Sequence, residues 1–516
     1  MFAYGRGKTV NRSASQPPES DGSVFRTDHL MGDLKGRSVR GGVITLTSQA
    51  AKLILQTAST MILARLLAPQ DFGLVAMVTA VTGFVAIFKE AGLSAATIQN
   101  VRISHGQVSN LFWINVGLSA SIVLVVAGSA PLIAWLYHEP RLIWIAIALS
   151  GTFLLSGLAV QHQALLRRQM RFKALVSIEI GSLTAGIVSA VLAALLGCGY
   201  WSLVAMMVMS SAVEALITWT VSDWRPSRPN RATDVKSMIR FGGSVVAFDF
   251  LNYFNRNFDN ILIGNRLGPQ ALGLYSRAYS LLLLPIRQVN GPLTGVLMPA
   301  LSRLQGDREG YARFYLKAIR LLAAVNVPLV VFAFAFAEDV VRVVLGRQWI
   351  AAVPAFRLLA PAALVGAINV APGWLCVSLG RPERQLHYGL VSMPVCVTGF
   401  CFGLRWGIEG VAAAFGTLFF FLFWAFVWYA CRGTAVKASK VAGGVLVPFL
   451  LSSVAGVITW LLRIGPLAHA GRVLALCVCG TSFAALYFLG AMLVPDMRQL
   501  LFRPLAFLRL TGRPGQ

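Results

Sequence analysis

The chain has few charged residues for its length. They make up 13% of its 516 positions, about half of the usual share in soluble domains. Hydrophobic residues make up 56%, and the mean hydropathy is +0.69. A soluble fold of this length could not bury so much apolar surface, so the composition excludes a soluble protein and predicts a membrane protein.

Acidic residues are especially scarce, with 20 Asp and Glu against 45 Lys and Arg and a formal net charge of +25. In a soluble protein this imbalance would indicate nucleic-acid binding. Here the basic residues cluster in short loops between apolar runs, as membrane orientation requires. We therefore expect membrane lipids, and no nucleic acid, as partners.

Patterns for metal, nucleotide or nucleophilic chemistry are missing. The seven cysteines lie in or beside apolar runs, without histidines or carboxylates at metal-ligand spacing. Cys477 and Cys479 would point to different sides of a helix. There is no nucleotide-binding glycine loop and no catalytic triad. We expect neither a cofactor nor a resident metal, and a protein that is not an enzyme.

Apolar runs of about 20 residues recur along the chain and predict an all-α integral membrane protein with about fourteen transmembrane helices. The predicted spans are 43–66, 73–96, 108–136, 141–165, 173–196, 200–221, 240–263, 273–300, 313–337, 354–379, 385–404, 408–431, 440–462 and 471–494. Residues 1–38 are polar and predict a disordered tail without a signal peptide, with Met31 as an alternative start.

Lysines and arginines concentrate in every second loop. Basic groups fill 225–240 and 303–317, for example, whereas the predicted loops 264–272 and 342–349 carry few. The positive-inside rule then places both termini in the cytoplasm. We expect a multi-pass protein of a bacterial cytoplasmic (inner) membrane.

An internal repeat relates two parts of the chain at an offset of 200. Residues 62–78 align on 262–278 without gaps, and a turn of the form Leu-x-Pro-Gln-x-x-Gly-Leu is common to both. The identical pairs are Leu67/Leu267, Pro69/Pro269, Gln70/Gln270, Gly73/Gly273, Leu74/Leu274, Arg40/Arg240 and Gly42/Gly242. An even number of helices separates the copies, so the repeat is parallel, as in the two halves of many transporters.

The repeat predicts a domain organisation of two lobes. The predicted parts are a tail (1–38), an N-lobe of helices 1–6 (39–221), a cytoplasmic linker (222–239), a C-lobe of helices 7–12 (240–431), and helices 13–14 with a cytoplasmic tail (432–516). The last two helices fall outside the duplication.

Polar residues form a stripe on each of two helices that the repeat relates. The seventh span carries Asp249, Asn252, Arg256 and Asp259 at steps of three and four, which share one helical face. The equivalent residues of the first span are Gln49, Lys52, Gln56 and Ser59. Because charges inside a bilayer are costly, we expect both stripes to line one cavity between the lobes.

Arg287 in the eighth span is a further candidate for this cavity. A structural alternative stays open for the stripes: Arg256 and Asp259 pair with each other, and Lys52 binds a neighbouring helix. Arg277 and Tyr275 share a helical face less closely than residues at steps of three or four do. Glu179 is a single charge on an apolar helix, which favours a structural contact.

Several segments resemble the Wzx-type polysaccharide flippases, the polysaccharide-transporter branch of the multidrug/oligosaccharidyl-lipid/polysaccharide (MOP) superfamily. The segments are 258–264 (FDNILIG), 267–269 (LGP), 272–279 (LGLYSRAY), 299–305 (PALSRLQ), 345–349 (LGRQW), 63–67 (LARLL) and 71–74 (DFGL). The resemblance covers roughly residues 36–430 and is weak in the last two helices.

This resemblance implies two six-helix lobes in a V and a flippase working by alternating access. The implied cargo is undecaprenyl-diphosphate-linked oligosaccharide, moved from the cytoplasmic to the periplasmic leaflet for exopolysaccharide or lipopolysaccharide biosynthesis, with the polymerase and export machinery as further partners. Lys52 and Arg256 would accompany the anionic diphosphate. An alternative for Asp249 and Asp259 is that they bind a coupling ion, a proton or sodium.

Two other functions remain as alternatives. A multidrug or small-solute antiporter of the same superfamily should have acidic rather than basic cavity groups. An integral-membrane polysaccharide polymerase or glycosyltransferase should carry carboxylates or arginines in a sizeable outward loop, but the longest predicted one, 338–353, is short.

Overall fold

The computed structural model describes residues 34–83, 97, 103–229 and 236–502; for 34–46, 236–252, 254–256 and 500–502 it describes the backbone only. All of its longer elements are helices. In chain order they are α1 (Leu34–Leu66), α2 (Pro69–Thr82), α3 (His105–Tyr137), α4 (Leu142–Arg168), α5 (Phe172–Leu195), α6 (Trp201–Val221), α7 (Lys236–Arg303), α8 (Arg308–Ala335), α9 (Ala337–Val344), α10 (Val353–Gly366), α11 (Val370–Ser378), α12 (Glu383–Gly403), α13 (Gly407–Cys431), α14 (Ala438–Ile464), α15 (Arg472–Leu493) and α16 (Pro495–Phe502).

The predicted all-α membrane architecture is confirmed. Within the described ranges, nine helical stretches are long and apolar enough to cross a membrane. One of them, Glu383–Cys431, holds two predicted spans. The helices α1 and α7 are not among the nine, and these two carry the polar stripes. The count of fourteen spans is consistent with this pattern and stays a prediction.

The two turns of the internal repeat differ in backbone conformation. In the first copy, Pro69 begins α2, and the Asp71 side chain accepts a hydrogen bond of 2.9 Å from the Ala68 amide, which caps the helix. In the second copy, α7 breaks at Gly268, whose φ of 83° lies in a region that favours glycine. We call the residues before this break the first arm of α7 and those after it the second arm.

The two turns pack directly on each other and join the halves of the molecule. Gly73 lies against the backbone of Pro269, and Gly273 lies against the backbone of Pro69. We call this end of the helix bundle the turn end. The opposite end, where residues 222–229 follow α6, is the linker end.

Exposed tryptophans mark both ends of the bundle. At the ends of apolar helices, tryptophan typically lies at the interface between membrane and water. At the turn end these residues are Trp135, Trp144, Trp201, Trp406 and Trp460, and at the linker end they are Trp113 and Trp428. Their separation along the helices supports the membrane assignment.

The first part of the predicted linker is packed onto the N-terminal helices. Trp224 is 3% exposed and stacks edge-on against Phe112 and His162. The Trp113 indole donates to the Ser227 carbonyl at 2.8 Å, and the Ser227 amide donates to the Ser109 hydroxyl at 3.1 Å. Residues 222–229 are therefore part of the N-terminal half.

The last helices, α14 and α15, pack on the C-terminal half through α8 and α9. The Arg463 guanidinium binds the Asp339 carboxylate through two hydrogen bonds of 3.0 and 3.2 Å. The Tyr487 hydroxyl donates to the Ala324 carbonyl at 2.9 Å. These contacts attach the two additional helices mainly to α8 and α9.

Candidate functional site

A cavity of about 450 Å³ lies between the two halves of the molecule, beside the packed turns. Helices α1, α2 and α6 form one wall, and the two arms of α7 form the other. Its polar lining residues are Ser59, Thr60, Thr79, Tyr253, Asn257, Asn260, Ser276, Arg277 and Ser280. Hydroxyl and amide groups dominate among these polar residues, the other half of the lining is apolar, and Arg277 is the one charged residue among the described lining residues.

Arg277 lies on the second arm of α7 and reaches across to the other half. Its guanidinium carbon is 4.7 Å from the centre of the Phe72 ring, so the cation rests on an aromatic face. Its Nε is buried without a hydrogen-bond acceptor in the described part of the chain. The side chain is only partly exposed, and the exposed part borders the cavity. A guanidinium that borders a cavity and has a buried N–H without an acceptor is suited to bind an anion.

Tyr253 extends from the first arm of α7 to α2 at the side of the cavity away from the turns. Its hydroxyl donates to the Thr79 carbonyl at 2.6 Å, and a Cβ on Gly83 would lie 2.4 Å from that hydroxyl. The contact bridges the two halves and bounds the cavity toward the linker end.

At the turn end, three side chains form a latch between the halves, which we name the turn-end latch: Arg65, Gln348 and Trp349. The Trp349 indole donates to the Ala64 carbonyl at 2.8 Å, and the Gln348 amide donates to the Ala64 and Leu67 carbonyls. Arg65 donates to the Val343 carbonyl at 2.9 Å. The last carbonyls of a helix have no hydrogen-bond donor within the helix. Gln348 and Trp349 supply donors to the carbonyls at the end of α1.

Lys52 and Gln56, two of the predicted site residues, are bound to other helices. Lys52 forms an ion pair with Glu179 of α5, inside the N-terminal half. Gln56 accepts a hydrogen bond of 3.1 Å from Gln288 of the second arm of α7, across the halves. The Lys52 contact follows the structural alternative, in which a neighbouring helix supplies its partner.

Asp259, Arg287 and Gln49 also have defined places. Asp259 is 2% exposed and accepts a hydrogen bond of 2.8 Å from the Tyr275 hydroxyl. Arg287 is exposed, and Gln49 is half-buried. The cavity lining does not include these three residues, Lys52 or Gln56. The side chains of Asp249, Asn252 and Arg256 lie outside the described residues.

Among the stripe residues whose side chains the structure describes, Ser59 alone lines the cavity, where it is 7% exposed. The sequence prediction gave Arg277 little weight, although the repeat holds a signal for it. The equivalent residue of the first copy is Met77, which is fully buried in the core. The second copy of the repeat thus has a cation where the first copy has an apolar core residue. This difference indicates that the two copies have different functions at this position.

Comparison with known families agrees with this architecture. Residues 62–354 match a family described as polysaccharide biosynthesis protein, which is more than half of the chain. Among curated relatives, the lipopolysaccharide biosynthesis protein WzxC of Escherichia coli (strain K12) is 25% identical over 69% of this chain and 73% of its own. The succinoglycan biosynthesis transport protein ExoT of Rhizobium meliloti (strain 1021) is 28% identical over 61% of this chain and 64% of its own.

Solved structures show the same fold at low sequence identity. The lipid II flippase MurJ, in an inward closed conformation, matches 91% of this chain and 100% of its own with a TM-score of 0.70 and 11% identity. An inward-facing multidrug resistance MATE family transporter of the MOP superfamily matches 78% of this chain and 99% of its own, with a TM-score of 0.61 and 16% identity. The predicted MOP/MATE-like fold is thus confirmed.

Proposed function

Since the chain belongs to the polysaccharide biosynthesis protein family, we propose that it is a flippase for polyprenyl-diphosphate-linked oligosaccharide. It is a multi-pass membrane transporter rather than an enzyme. The cargo is undecaprenyl-diphosphate-linked oligosaccharide, which crosses from the cytoplasmic to the periplasmic leaflet during polysaccharide biosynthesis. Alternating access of two lobes, 39–221 and 240–431, performs this transfer.

The observation that carries the proposal is Arg277 in a cavity whose other described lining residues are neutral. A diphosphate is anionic and accepts charge-assisted hydrogen bonds from a guanidinium, worth roughly 1.5–3 kcal/mol each. Hydroxyl and amide groups such as those of Thr60, Asn257 and Asn260 suit sugar hydroxyls. The prenyl tail stays in the lipid.

The same cavity argues against the antiporter alternative. A transporter for cationic drugs needs carboxylates where the cargo binds, whereas the described lining residues include none. Asp259 is the buried carboxylate nearest in sequence to Arg277. It accepts a hydrogen bond from Tyr275 and does not line the cavity.

We further propose that the protein resides in a bacterial cytoplasmic membrane with both termini in the cytoplasm. The turn end then faces the periplasm, and the packed turns and the turn-end latch are the closed periplasmic gate. The flipped product passes to the polymerase and export machinery. Either a proton or sodium serves as the coupling ion in this scheme.

Transport of a fluorescent undecaprenyl-diphosphate-linked oligosaccharide between the leaflets of proteoliposomes tests the proposal. Arg277→Ala should slow transport at least about tenfold, because the diphosphate loses a charge-assisted partner. Arg277→Lys should retain part of the rate, since lysine keeps the charge and loses the fork.

Arg308→Ala is the matched control, because Arg308 is exposed at the start of α8 and remote from the cavity. It should transport at the wild-type rate. Wild-type transport by Arg277→Ala would overturn the assignment of Arg277 as the head-group cation.

A further inference from the structure

Phe72, at the start of α2, lies between two side chains of the other half. The edge of the Trp349 ring meets the Phe72 ring at a centroid distance of 5.3 Å and an interplanar angle of 72°. The Arg277 guanidinium lies 4.7 Å from the Phe72 centroid. Phe72 is 4% exposed and Trp349 is 0% exposed, so water does not separate these groups.

The two neighbours of Phe72 belong to different parts of the interface between the halves. Trp349 is part of the turn-end latch, where its indole donates to the Ala64 carbonyl at 2.8 Å. Arg277 borders the cavity, and its Nε has no acceptor among the described residues. The three side chains therefore make one continuous contact from the cavity to the latch.

We propose that Phe72 positions Arg277 and couples cargo binding to opening of the turn end. The inference rests on the proposed function, because Arg277 is there the group that receives the diphosphate. Phosphate oxygens offer a guanidinium bidentate, charge-assisted hydrogen bonds, which are stronger than its attraction to an aromatic face. Arg277 leaves Phe72 when the cargo enters.

The loss of this contact weakens the closed state of the turn end. Phe72 then contacts Trp349 but no longer contacts Arg277. The Phe72 ring is held less firmly, and its edge contact with Trp349 supports the latch less. A ligand shifts a conformational equilibrium only by its differential affinity for the two states. Here the Arg277–Phe72 contact makes the difference in affinity. The closed state must break this contact before the cargo binds, so it binds the cargo more weakly than the open state does. A cation–π contact of this kind predicts a shift of about threefold to tenfold.

Phe72→Leu is the matched test of this role, since the repeat places Leu272 at the equivalent position of the second half. The substitution keeps an apolar side chain and removes the aromatic face. Turn-end separation is measured by distances between spin labels at Leu196→Cys and Arg405→Cys, which are exposed and lie one on each half. The full chain is held in lipid nanodiscs, with the exposed cysteines Cys198, Cys401 and Cys477 replaced by serine.

Geranylgeranyl diphosphate is the probe, and geranylgeraniol is its uncharged control. In the wild type, the diphosphate should raise the fraction with a separated turn end by about threefold to tenfold, and the alcohol should not. Phe72→Leu should show a raised separated fraction without the probe. It should still bind the diphosphate through Arg277, and its further shift should be less than about twofold.

Phe332→Leu controls for the loss of an aromatic ring away from the interface, because Phe332 packs on Phe483 of α15 at 5.4 Å. It should behave as the wild type in both measurements. Wild-type separation in Phe72→Leu, with and without the probe, would overturn the coupling. If the wild type binds diphosphate and alcohol equally, the proposed function fails and the cargo-sensing step falls with it. The probe-free comparison then still decides whether Phe72 supports the latch.

Discussion

Gly73 and Gly273 each lie against the carbonyl oxygen of the proline four residues before the other. A Cβ built on Gly73 would be 1.7 Å from the Pro269 oxygen, and one on Gly273 would be 1.8 Å from the Pro69 oxygen. The contact is reciprocal, as expected for two copies of one motif related by a two-fold axis. No side chain larger than hydrogen fits, so the repeated glycines set how closely the two halves approach.

Replacement of Gly73 by alanine should force the turns apart. We expect Gly73→Ala to lower the free energy of unfolding by about 1–3 kcal/mol through overpacking, and to raise labelling of a cysteine at Ser276 by a membrane-impermeant reagent. Ser276 lines the cavity next to Arg277. Thermal unfolding and maleimide labelling check the two effects.

Gly117→Ala is the control for this prediction, because a Cβ there meets no atom within 4 Å. It should unfold and label as the wild type. Unchanged labelling of Ser276→Cys in the Gly73→Ala background would show that the packed turns do not seal the cavity.

The Lys52–Glu179 ion pair predicts that Lys52 has a structural role. Lys52→Ala should destabilise the protein because it leaves an intramembrane carboxylate without its partner. The double variant Lys52→Ala/Glu179→Ala should recover both stability and transport. Recovery of stability without recovery of transport would instead place Lys52 in contact with the cargo.

The hydrogen bond from Tyr275 to Asp259 predicts a coupled pair on α7. Tyr275→Phe should lower the free energy of unfolding by about 1–3 kcal/mol, since it leaves a buried carboxylate without this donor. Adding Asp259→Asn should cost little more, because the amide carries no charge to solvate. Tyr315→Phe is the control, as it removes a similar bond of 2.9 Å to the Ala371 carbonyl. A loss in Tyr275→Phe no larger than in this control would contradict the pairing.

Membrane orientation is testable by labelling of single cysteines in intact and permeabilised cells. Arg228 and Arg308 are exposed at the linker end, and Pro140 and His469 are exposed at the turn end. Cysteines at the first two positions should label only after permeabilisation, and those at the last two should label in intact cells. The reverse pattern would contradict the positive-inside argument and the proposed direction of transport.

The repeat shows which parts of the site the sequence predicted. Identity of Pro69 with Pro269 and Gly73 with Gly273 predicted two related turns, and both turns are present. Of the stripe residues whose side chains the structure describes, Ser59 lines the cavity, and the role of the stripes in cargo binding stays a prediction. It did not find the partner of Lys52, because Glu179 lies on another helix and helical spacing carries no information about neighbours.

The sequence by itself determined the membrane class, the helical architecture, the parallel repeat and the family. These properties depend on composition, local periodicity and motifs, which act over short stretches of chain. Only the tertiary structure decided that Arg277 rests on Phe72, that Trp349 binds the end of α1, and that the two glycines meet the opposite prolines. Each of these contacts joins residues about 200 or more positions apart, and their distance depends on how whole helices pack against one another.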